Sequence, residues 1–256
     1  MSERSEFYQR NERHIILREM GEDGVMRLAQ SRVLVVGAGG LGSPVIQYLA
    51  AAGVGEMGIV DDDRVALSNL QRQVVHAHCD LHELKAESAA RKAKAINPTM
   101  IVTPYAERFD ERNGEGLIGG YDLVVDCTDS YQSKFFINDL CVAHSKPFVH
   151  GSILRFAGQV MTYLPGHACY RCLYDELPDD VKGAAEVGVF GPAVGVIGSM
   201  QAVEVLKVLA GVGEPLTDAL LVYDALDASV RKISFLHRRD CPAHRATSLK
   251  SIETLK

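Results

Sequence analysis

The sequence predicts an α/β fold with one mostly parallel sheet, flanking helices and an antiparallel extension towards the C-terminus. Short runs rich in Val, Ile and Leu alternate with helical patterns, which is typical of βαβ units. No low-complexity tract, Ser/Gly-rich linker or fixed-period repeat interrupts the 256 residues. The chain is 47% hydrophobic and 23% charged, so it can bury a substantial core. We therefore expect one domain over residues 1–256.

The elements can be justified in order along the chain. Parallel strands are expected at residues 32–36, 57–60, 101–103, 122–126 and 148–149, and later strands at 220–223 and 229–235. Helices are expected at 43–52, 81–96, 135–144 and 192–209. Asp80 and Glu83 resemble a capping pair for the second helix, and Pro192 suits the start of the last one. Residues 173–191 are first acidic and then Gly-rich, which predicts a mobile crossover loop.

Charge and cysteine content exclude several function classes. The net charge of −6 disfavours nucleic-acid binding, because neutralising phosphates requires a basic face. No apolar run reaches the ~18 residues that a membrane span needs. The charged N-terminal residues lack the apolar core of a secretory signal. Six cysteines in a chain without such a signal fit a reducing cytosol better than a disulfide framework. We expect a cytoplasmic protein with neither a nucleic-acid nor a membrane partner.

A glycine-rich motif follows the first predicted strand and precedes a helix. Its glycines are Gly37, Gly39, Gly40 and Gly42, in the pattern G-x-G-x-x-G. Such a loop makes a tight turn and lets backbone amides approach a phosphate at a helix N-terminus. Asp61 and Asp63 follow about 20 residues later, at the end of the second strand, where an acid can hold a ribose hydroxyl. The pattern predicts a nucleotide site and is compatible with both NAD and ATP.

The next segment favours ATP over NAD. The run Ser68-Asn69-Leu70-Gln71-Arg72-Gln73 places amides and a fixed positive charge just beyond the ribose acid, and Lys85 lies near the start of the next helix. Nucleotidyl transfer needs such groups, because charge builds on the α-phosphate and on the departing pyrophosphate. Hydride transfer has no evident need for them. Alternatively, Arg72 and Lys85 are solvated surface charges, as most Arg and Lys are.

The fourth predicted strand ends in Asp126-Cys127-Thr128-Asp129-Ser130. Carboxylates at the carboxyl edge of a parallel sheet face the ligand crevice. Asp129 is the candidate ligand of a Mg²⁺ ion bound to the phosphates, since Mg²⁺ takes one or two carboxylates together with phosphate oxygens. Alternatively, Asp126 or Asp129 caps the following helix.

Two short motifs predict a metal site. Cys169-x-x-Cys172 and Cys241-x-x-His244 supply four ligands of the types that close a tetrahedral structural zinc site, with no open position for water. Zinc would tie the C-terminal segment to the body of the domain. The alternative is two unrelated turns with free thiols.

These residues together resemble the ThiF/MoeB branch of the ubiquitin-activating-enzyme superfamily. The matching stretches are RHIIL at Arg13, GAGGLG at Gly37, SNLQRQ at Ser68, the segment around Lys85, DCTD at Asp126, CYRC at Cys169, GPAVGVIG at Gly191 and YDA at Tyr223. The resemblance implies a Rossmann-like fold and a homodimer that uses MgATP to adenylate the C-terminal glycine of a small ubiquitin-like sulfur carrier ending in Gly-Gly.

The resemblance also assigns site residues. It implies that Gly40, Asp61, Asn69, Arg72, Lys85 and Asp129 form the ATP site, and that Arg13 reaches into the partner subunit's site. The candidate catalytic residues are therefore Arg13, Arg72, Lys85 and Asp129. The candidate nucleotide-binding residues are Gly37, Gly39, Gly40, Gly42, Asp61, Asp63, Ser68, Asn69, Arg72, Gln73, Lys85, Asp129 and Ser130. The candidate zinc ligands are Cys169, Cys172, Cys241 and His244.

The chemistry of this reaction agrees with the residues present. A C-terminal carboxyl group has a pKa near ~3.5 and is ionised at neutral pH, so no general base is needed. Two departures from the family stand out: His244 replaces a common cysteine, and Ala184 lies where the thiamine branch has a loop cysteine. Alanine has no nucleophile, so no thioester can form there. Either a separate sulfurtransferase accepts the adenylate, or the alanine was introduced by engineering.

Two other functions are compatible with parts of the sequence. An NAD(P)-dependent oxidoreductase would use the same glycine loop and acid, but it would leave SNLQRQ, Lys85 and DCTD without a purpose. A catalytically idle zinc-bearing adaptor would keep the fold, but the intact set Arg13, Arg72, Lys85 and Asp129 argues against it.

Overall fold

A computed structural model describes residues 3–174 and 184–245. These residues form one eight-stranded sheet in the order β3-β2-β1-β4-β5-β6-β7-β8. The strands are β1 (Arg32–Val36), β2 (Glu56–Val60), β3 (Ile101–Tyr105), β4 (Leu123–Asp126), β5 (Phe148–Leu154), β6 (Ala157–Tyr163), β7 (Ala219–Asp224) and β8 (Ser229–Ser234). The pairs among β1–β5 are parallel, and those from β5 to β8 are antiparallel. The predicted fold class is confirmed.

The helices cover both faces of the sheet. They are α1 (Glu3–Ile15), α2 (Gly21–Gln30), α3 (Gly42–Ala51), α4 (Lys85–Ile96), α5 (Gly114–Gly119), α6 (Tyr131–Ala143), α7 (Tyr170–Leu173), α8 (Ala184–Val187) and α9 (Gly191–Ala210). Val33 and Val35 of β1 pack in the core beneath α3, α4 and α9, whereas Leu34 and Val36 pack in the core beneath α6. This alternation follows from the two-residue period of a strand, and it buries the sheet on both sides.

The second predicted helix begins later than expected, at Lys85 instead of residue 81. The carboxylate of Asp80 accepts from the backbone N–H of Ala77 (2.7 Å) and closes a short 3₁₀ turn. His82 has a φ of +72°, which a right-handed helix cannot contain. Asp80 and Glu83 therefore do not cap α4; both accept hydrogen bonds from Arg91 (2.7 Å each).

Helix α6 also differs from its prediction, because it starts at Tyr131 and not at residue 135. Its N-terminal cap is Ser130, whose hydroxyl accepts from the backbone N–H of Ser133 (3.1 Å). The expectation that Asp126 or Asp129 caps this helix is therefore wrong. Strand β6 and helices α1, α2, α5 and α7 were not predicted. The predicted loop at 173–191 includes α8 and the start of α9, and its residues 175–183 lie outside the described residues.

Helix α9 is long and apolar enough, by length and composition alone, to cross a membrane, so the expectation that no apolar run has this length is wrong. Half of the apolar window is buried against the rest of the chain, where α9 contacts α3, β5 and β6. Two of its polar side chains are buried and bonded to the sheet: Gln201 donates to the Asp126 carbonyl, and Glu204 accepts from the Thr162 hydroxyl (2.8 Å each). These contacts are those of a core helix packed on a sheet.

Candidate active site

A cavity of about 360 Å³ opens at the carboxyl ends of β1, β2 and β4. The chain runs outward from β1 to β2 and β3 and then returns to β4 on the other side of β1. Ligands of open α/β sheets bind at such a switch in strand order. The predicted residues that line the cavity are Gly37, Gly39, Gly40, Asp61, Asp63, Arg72, Gln73, Lys85, Asp129 and Ser130.

Several glycines of the loop lie where a side chain has no space. Gly37 has a φ of +102°, and a Cβ atom there would lie 2.7 Å from the carbonyl oxygen of Cys127. A Cβ atom on Gly40 would lie 2.7 Å from Cγ1 of Val194 on α9. Glycine is therefore required both for the turn and for the close approach of α9. The resulting cradle of bare backbone has the form that accepts phosphate groups.

Asp61 holds this loop in place. One carboxylate oxygen accepts from the backbone N–H of Ala38 (2.8 Å), and the other accepts from the backbone N–H of Asp63 (2.9 Å). Burial raises the pKa of Asp61, although Lys85 and these two amides act in the opposite direction. Asp61, which the sequence predicts as a ribose contact, thus also shapes the glycine loop. The ribose contact itself stays a prediction.

The two cations beside the loop differ in their partners. Lys85 is only 6% exposed, and its ammonium donates to a carboxylate oxygen of Asp63 (2.8 Å), so the alternative of a solvated surface lysine is wrong. The Arg72 guanidinium donates to the carbonyl of Ser68 (3.1 Å), and no carboxylate pairs with it among residues 3–174 and 184–245. A guanidinium at a cavity wall without a carboxylate partner is suited to binding an anion.

Gln73 supplies a polar atom that suits a ligand. Its side chain is 4% exposed, and its Oε1 atom has no hydrogen-bond partner within the part of the chain that the structure describes. A Cβ atom on Gly39 would lie 3.5 Å from Nε2 of the same side chain. Buried acceptors without donors are costly, so a ligand that donates a hydrogen bond here would lower that cost. The residues present thus fit a nucleotide with hydroxyl or amino donors.

Asp129 and Ser130 lie in the turn that follows β4. Asp129 is exposed to the cavity, so its carboxylate is available to a hydrated cation such as Mg²⁺. The Ser130 hydroxyl is already engaged, because it caps α6 and donates to the hydroxyl of Ser133 (2.8 Å). Asp126, in contrast, is 1% exposed and does not line the cavity.

Four predicted site residues do not line the cavity of this chain. Gly42 begins α3, where the carbonyl of Gly37 leaves no space for a Cβ atom. Asn69 and Ser68 shape the preceding turn: the side-chain oxygen of Asn69 accepts from Ala66 N–H (3.2 Å). Arg13 is exposed on α1. An intrachain role for Arg13 in the cavity is therefore not supported by its position.

Sequence reasoning missed part of the cavity wall. Glu107, Arg108 and Phe109 follow β3, and Ser152 and Ile153 lie at the end of β5. All parallel strands point their carboxyl ends to the same edge of the sheet, so the segments after β3 and β5 could have been inferred as lining residues from the strand prediction. They carry no motif that would mark them by residue type.

The second site brings both cysteine motifs together. Sγ of Cys169 lies 3.9 Å from Sγ of Cys172 and 3.7 Å from Sγ of Cys241. Nδ1 of His244 lies 3.9 Å and 3.7 Å from Sγ of Cys169 and Cys172. A tetrahedral zinc ion with bonds of about 2.3 Å requires ligand separations of roughly 3.8 Å. The four groups thus have the spacing of a closed zinc site, and the alternative of two unrelated turns is wrong.

The four groups of this cluster differ in protonation. Hydrogen bonds with Cys172 and Cys241 raise the pKa of Cys169, and the pKa of Cys241 is also raised, so these two thiols keep their protons until a metal displaces them. Burial lowers the pKa of His244, which favours the neutral ring with a lone pair available to a metal. Hydrogen bonds from the thiols of Cys169 and Cys241 and from the backbone N–H of Arg238 hold the pKa of Cys172 below its usual range. A thiolate is the form that binds metal. None of these four side chains lines the cavity described above.

Comparison with known proteins identifies the family of this chain. The chain matches the ThiF family over residues 11–243. It is 46% identical over 248 residues to the SAMP-activating enzyme E1 of Haloferax volcanii, with 96% of this chain and 92% of that protein covered. It is 45% identical over 241 residues to the sulfur carrier protein adenylyltransferase of Thermus thermophilus, with 91% and 89% covered.

A solved structure shares the fold at lower sequence similarity. The crystal structure of Escherichia coli MccB with MccA-N7isoASN has a TM-score of 0.82 at 21% identity, over 95% of this chain and 75% of that one. At this identity the likeness bears on the fold alone. The family match spans most of the chain and both relatives share more than two fifths of its residues, so the chain belongs to the ThiF family.

Proposed function

We propose that the chain uses MgATP to adenylate the C-terminal glycine carboxylate of a small ubiquitin-like sulfur-carrier protein. The observation that carries this proposal is Arg72, a cation without a carboxylate partner among the described residues, beside a cradle of bare glycine backbone and the exposed carboxylate of Asp129. The Haloferax volcanii and Thermus thermophilus relatives carry names for this kind of activation. An oxidoreductase would leave this arrangement without a purpose.

The reaction requires charge stabilisation and no general base. A carboxylate oxygen of the carrier forms a bond with the α-phosphorus, while the bond from that phosphorus to the oxygen bridging to the β-phosphate breaks. Pyrophosphate leaves with the electron pair, and an acyl-adenylate remains. Arg72 and Lys85 stabilise the negative charge, and Asp129 would hold Mg²⁺ on the phosphates. Each such donor contributes about 3 kcal/mol to lowering the barrier.

We propose a structural role for zinc. Cys169, Cys172, Cys241 and His244 would hold the ion with no position left for water, so zinc would tie the segment after β8 to α7 and supply no chemistry to the reaction.

We propose that the chain works as a homodimer. Exposed apolar side chains line a groove of about 700 Å³. They include Tyr48 on α3, Val203 on α9, and Val74 in the segment between α3 and α4. Two copies joined there could bring Arg13 of one subunit to the cavity of the other. If so, mixing Arg13→Ala and Arg72→Ala subunits would restore activity above that of either variant alone, because one site of each mixed dimer would be complete.

Residue 184 is the first residue of α8 and has no nucleophile, so we propose that a separate sulfurtransferase accepts the adenylate. We further propose a cytoplasmic, single-domain enzyme of thiamine, molybdopterin or related sulfur-transfer biosynthesis.

The deciding experiment is ATP–pyrophosphate exchange with candidate carriers supplied one at a time. Exchange is expected with a carrier that ends in Gly-Gly and is expected to vanish when that carrier lacks its terminal glycine. Absence of exchange with every carrier, together with tight NADH binding and no ATP binding, would favour the oxidoreductase instead.

A further inference from the structure

The cavity opens where two neighbouring parallel strands separate. The ladder between β4 and β5 ends at the pair Asp126 and His150, although β5 continues to Leu154. Beyond this pair, the turn at residues 128–129 and the edge at residues 152–153 both line the cavity. Backbone pairing between β4 and β5 therefore ends before the residues that form these two walls.

One buried ammonium joins the two strands at this point. Lys134 of α6 is 3% exposed, and its Nζ donates to the carbonyl of Gly151 on β5 (2.6 Å) and to both carboxylate oxygens of Asp126 on β4 (3.2 and 3.3 Å). The Asp126 carboxylate in turn accepts from the backbone N–H and the hydroxyl of Thr128 (3.1 and 2.7 Å) and lies 2.8 Å from Nδ1 of His150. A single side chain thus links both walls.

Helix α9, on the opposite face of the sheet, contacts the same two residues, Asp126 and Gly151. Gln201 of α9 donates through Nε2 to the main-chain carbonyl of Asp126 (2.8 Å). A Cβ atom on Gly151 would lie 2.2 Å from Cδ of Gln201, so the two elements are in close contact. With α6 on one face and α9 on the other, neither Asp126 nor Gly151 can shift without breaking a buried hydrogen bond.

Stability alone does not account for a charge pair at this depth. Burying both partners costs desolvation energy, and well-packed apolar residues of similar volume are often no worse. Unlike an apolar side chain, an ammonium makes directed hydrogen bonds. The ammonium of Lys134 joins β5 to the carboxylate of Asp126 on β4, and that carboxylate in turn holds the turn at Thr128. A residue placed in this way sets distances between groups in the cavity.

We propose that Lys134 is a positioning residue for adenylation. Through Asp126 and Gly151 it sets the separation of the turn that carries Asp129 from the edge that carries Ser152, and thereby places the carboxylate of Asp129 for the metal and nucleotide. This inference rests on the proposed function.

The chain offers a matched control at the other end of the same strands. Lys146 lies between α6 and β5, and its ammonium donates to the carbonyl of Tyr121, just before β4. It makes a similar lysine-to-carbonyl bond, but at the amino ends of the strands, and it does not line the cavity. Lys146→Met should therefore reproduce a stability cost without a positioning effect.

The experiment compares three variants. The first combines Lys134→Met with Asp126→Asn, so that no unpaired charge stays buried; the other two are Lys134→Arg and Lys146→Met. Melting temperature, kcat and KM for ATP in pyrophosphate exchange, and the Mg²⁺ concentration for half-maximal rate would be measured. We expect the double variant to lose roughly 10- to 100-fold in kcat and to need more Mg²⁺, because small misplacements of reacting groups have effects of this size. Lys134→Arg should keep most of the wild-type rate, and Lys146→Met should keep the wild-type kcat and Mg²⁺ requirement.

A second variant covers the case in which the double variant does not fold. Thr128→Val removes the hydroxyl bond to Asp126 and nearly conserves volume, and it should lower kcat and raise the Mg²⁺ requirement in the same direction. If the folded Lys134 and Thr128 variants match Lys146→Met in these values, the inference is wrong. Calorimetric binding of MgATP without carrier separates the two hypotheses. If the wild-type chain shows no exchange, the proposed function fails and binding alone tests the positioning role: weaker MgATP binding by the Lys134 variant than by Lys146→Met would support it, and equal binding would overturn it.

Discussion

The cavity and the Cys/His cluster are built on opposite principles. The cavity is open, its backbone cradle lacks side chains, and its Arg72 has no carboxylate partner in the described part of the chain. The cluster is closed, and its four ligand atoms lie within 4.8 Å of one another. Groups that await a ligand contribute little to folding, whereas groups that satisfy each other, or a shared ion, contribute to it directly. The difference teaches that chemistry and stability can be disrupted separately in this chain.

The largest effect is expected in the cavity. Arg72→Ala or Asp129→Ala should abolish ATP–pyrophosphate exchange, since each well-placed group lowers the barrier by an amount worth about 10²- to 10³-fold in rate. The melting temperature should stay close to that of the unaltered chain, because Asp129 is exposed and Arg72 bonds only a main-chain carbonyl among the described residues.

Asp122→Ala is the matched control for this prediction. Asp122 is exposed at the amino end of β4 and binds Arg32 there, whereas Asp129 follows the carboxyl end of the same strand. Exchange should survive in Asp122→Ala. Near-native exchange in folded Asp129→Ala would contradict the assignment of the cavity.

The next effect in size is expected in the cluster, and it should be the reverse of the first. Cys169→Ser or removal of the metal by a chelator should lower the free energy of unfolding by about 3 kcal/mol or more, because structural metal binding is part of the folding free energy. Exchange per folded molecule should change little. Denaturant unfolding and metal analysis measure both, with the exposed Cys79→Ser as control. If metal analysis finds no zinc and the thiols react freely, the structural role of the cluster is wrong.

The smallest effect concerns the buried histidines behind the cavity. Burial lowers the pKa of both His76 and His150, so both are neutral in the folded chain at neutral pH. The unfolded chain takes up these protons first as the pH falls below about 6.5, so the stabilisation is complete above that pH and declines below it. Each histidine should contribute up to about 1.4 kcal/mol per pH unit.

Denaturant unfolding at several pH values between 5 and 7.5 would measure this slope. His150→Gln should flatten it, whereas substitution of the exposed His78 should not. Asp126 adds nothing to the slope in this range: burial acts to raise its pKa, but Lys134, His150 and Thr128 outweigh burial and hold it below its usual value. An unchanged slope in His150→Gln would show that His150 does not contribute to the pH dependence.

The sequence by itself determined the parallel strands β1 to β5, the glycine loop and the two Cys/His motifs. Each of these is a local pattern: a buried strand is a short apolar run, a glycine loop has fixed spacing, and the two residues of each Cys/His motif lie three positions apart. Such patterns reflect constraints within a few residues, so they are visible in one chain without coordinates. They also sufficed to place Arg72, Lys85 and Asp129 near one edge.

Only the tertiary structure decided how distant residues share their bonds. Asp80 was expected to cap α4, but it closes an earlier turn and pairs with Arg91. Asp126 was expected to cap a helix or face the ligand, but it is buried with Lys134. Strand β6 forms because β5 and β7 are available on either side of it, and its own residues carry no strong strand pattern. Hydrogen bonds and ion pairs between distant segments depend on which partners folding brings within about 3 Å, and no local pattern contains that information.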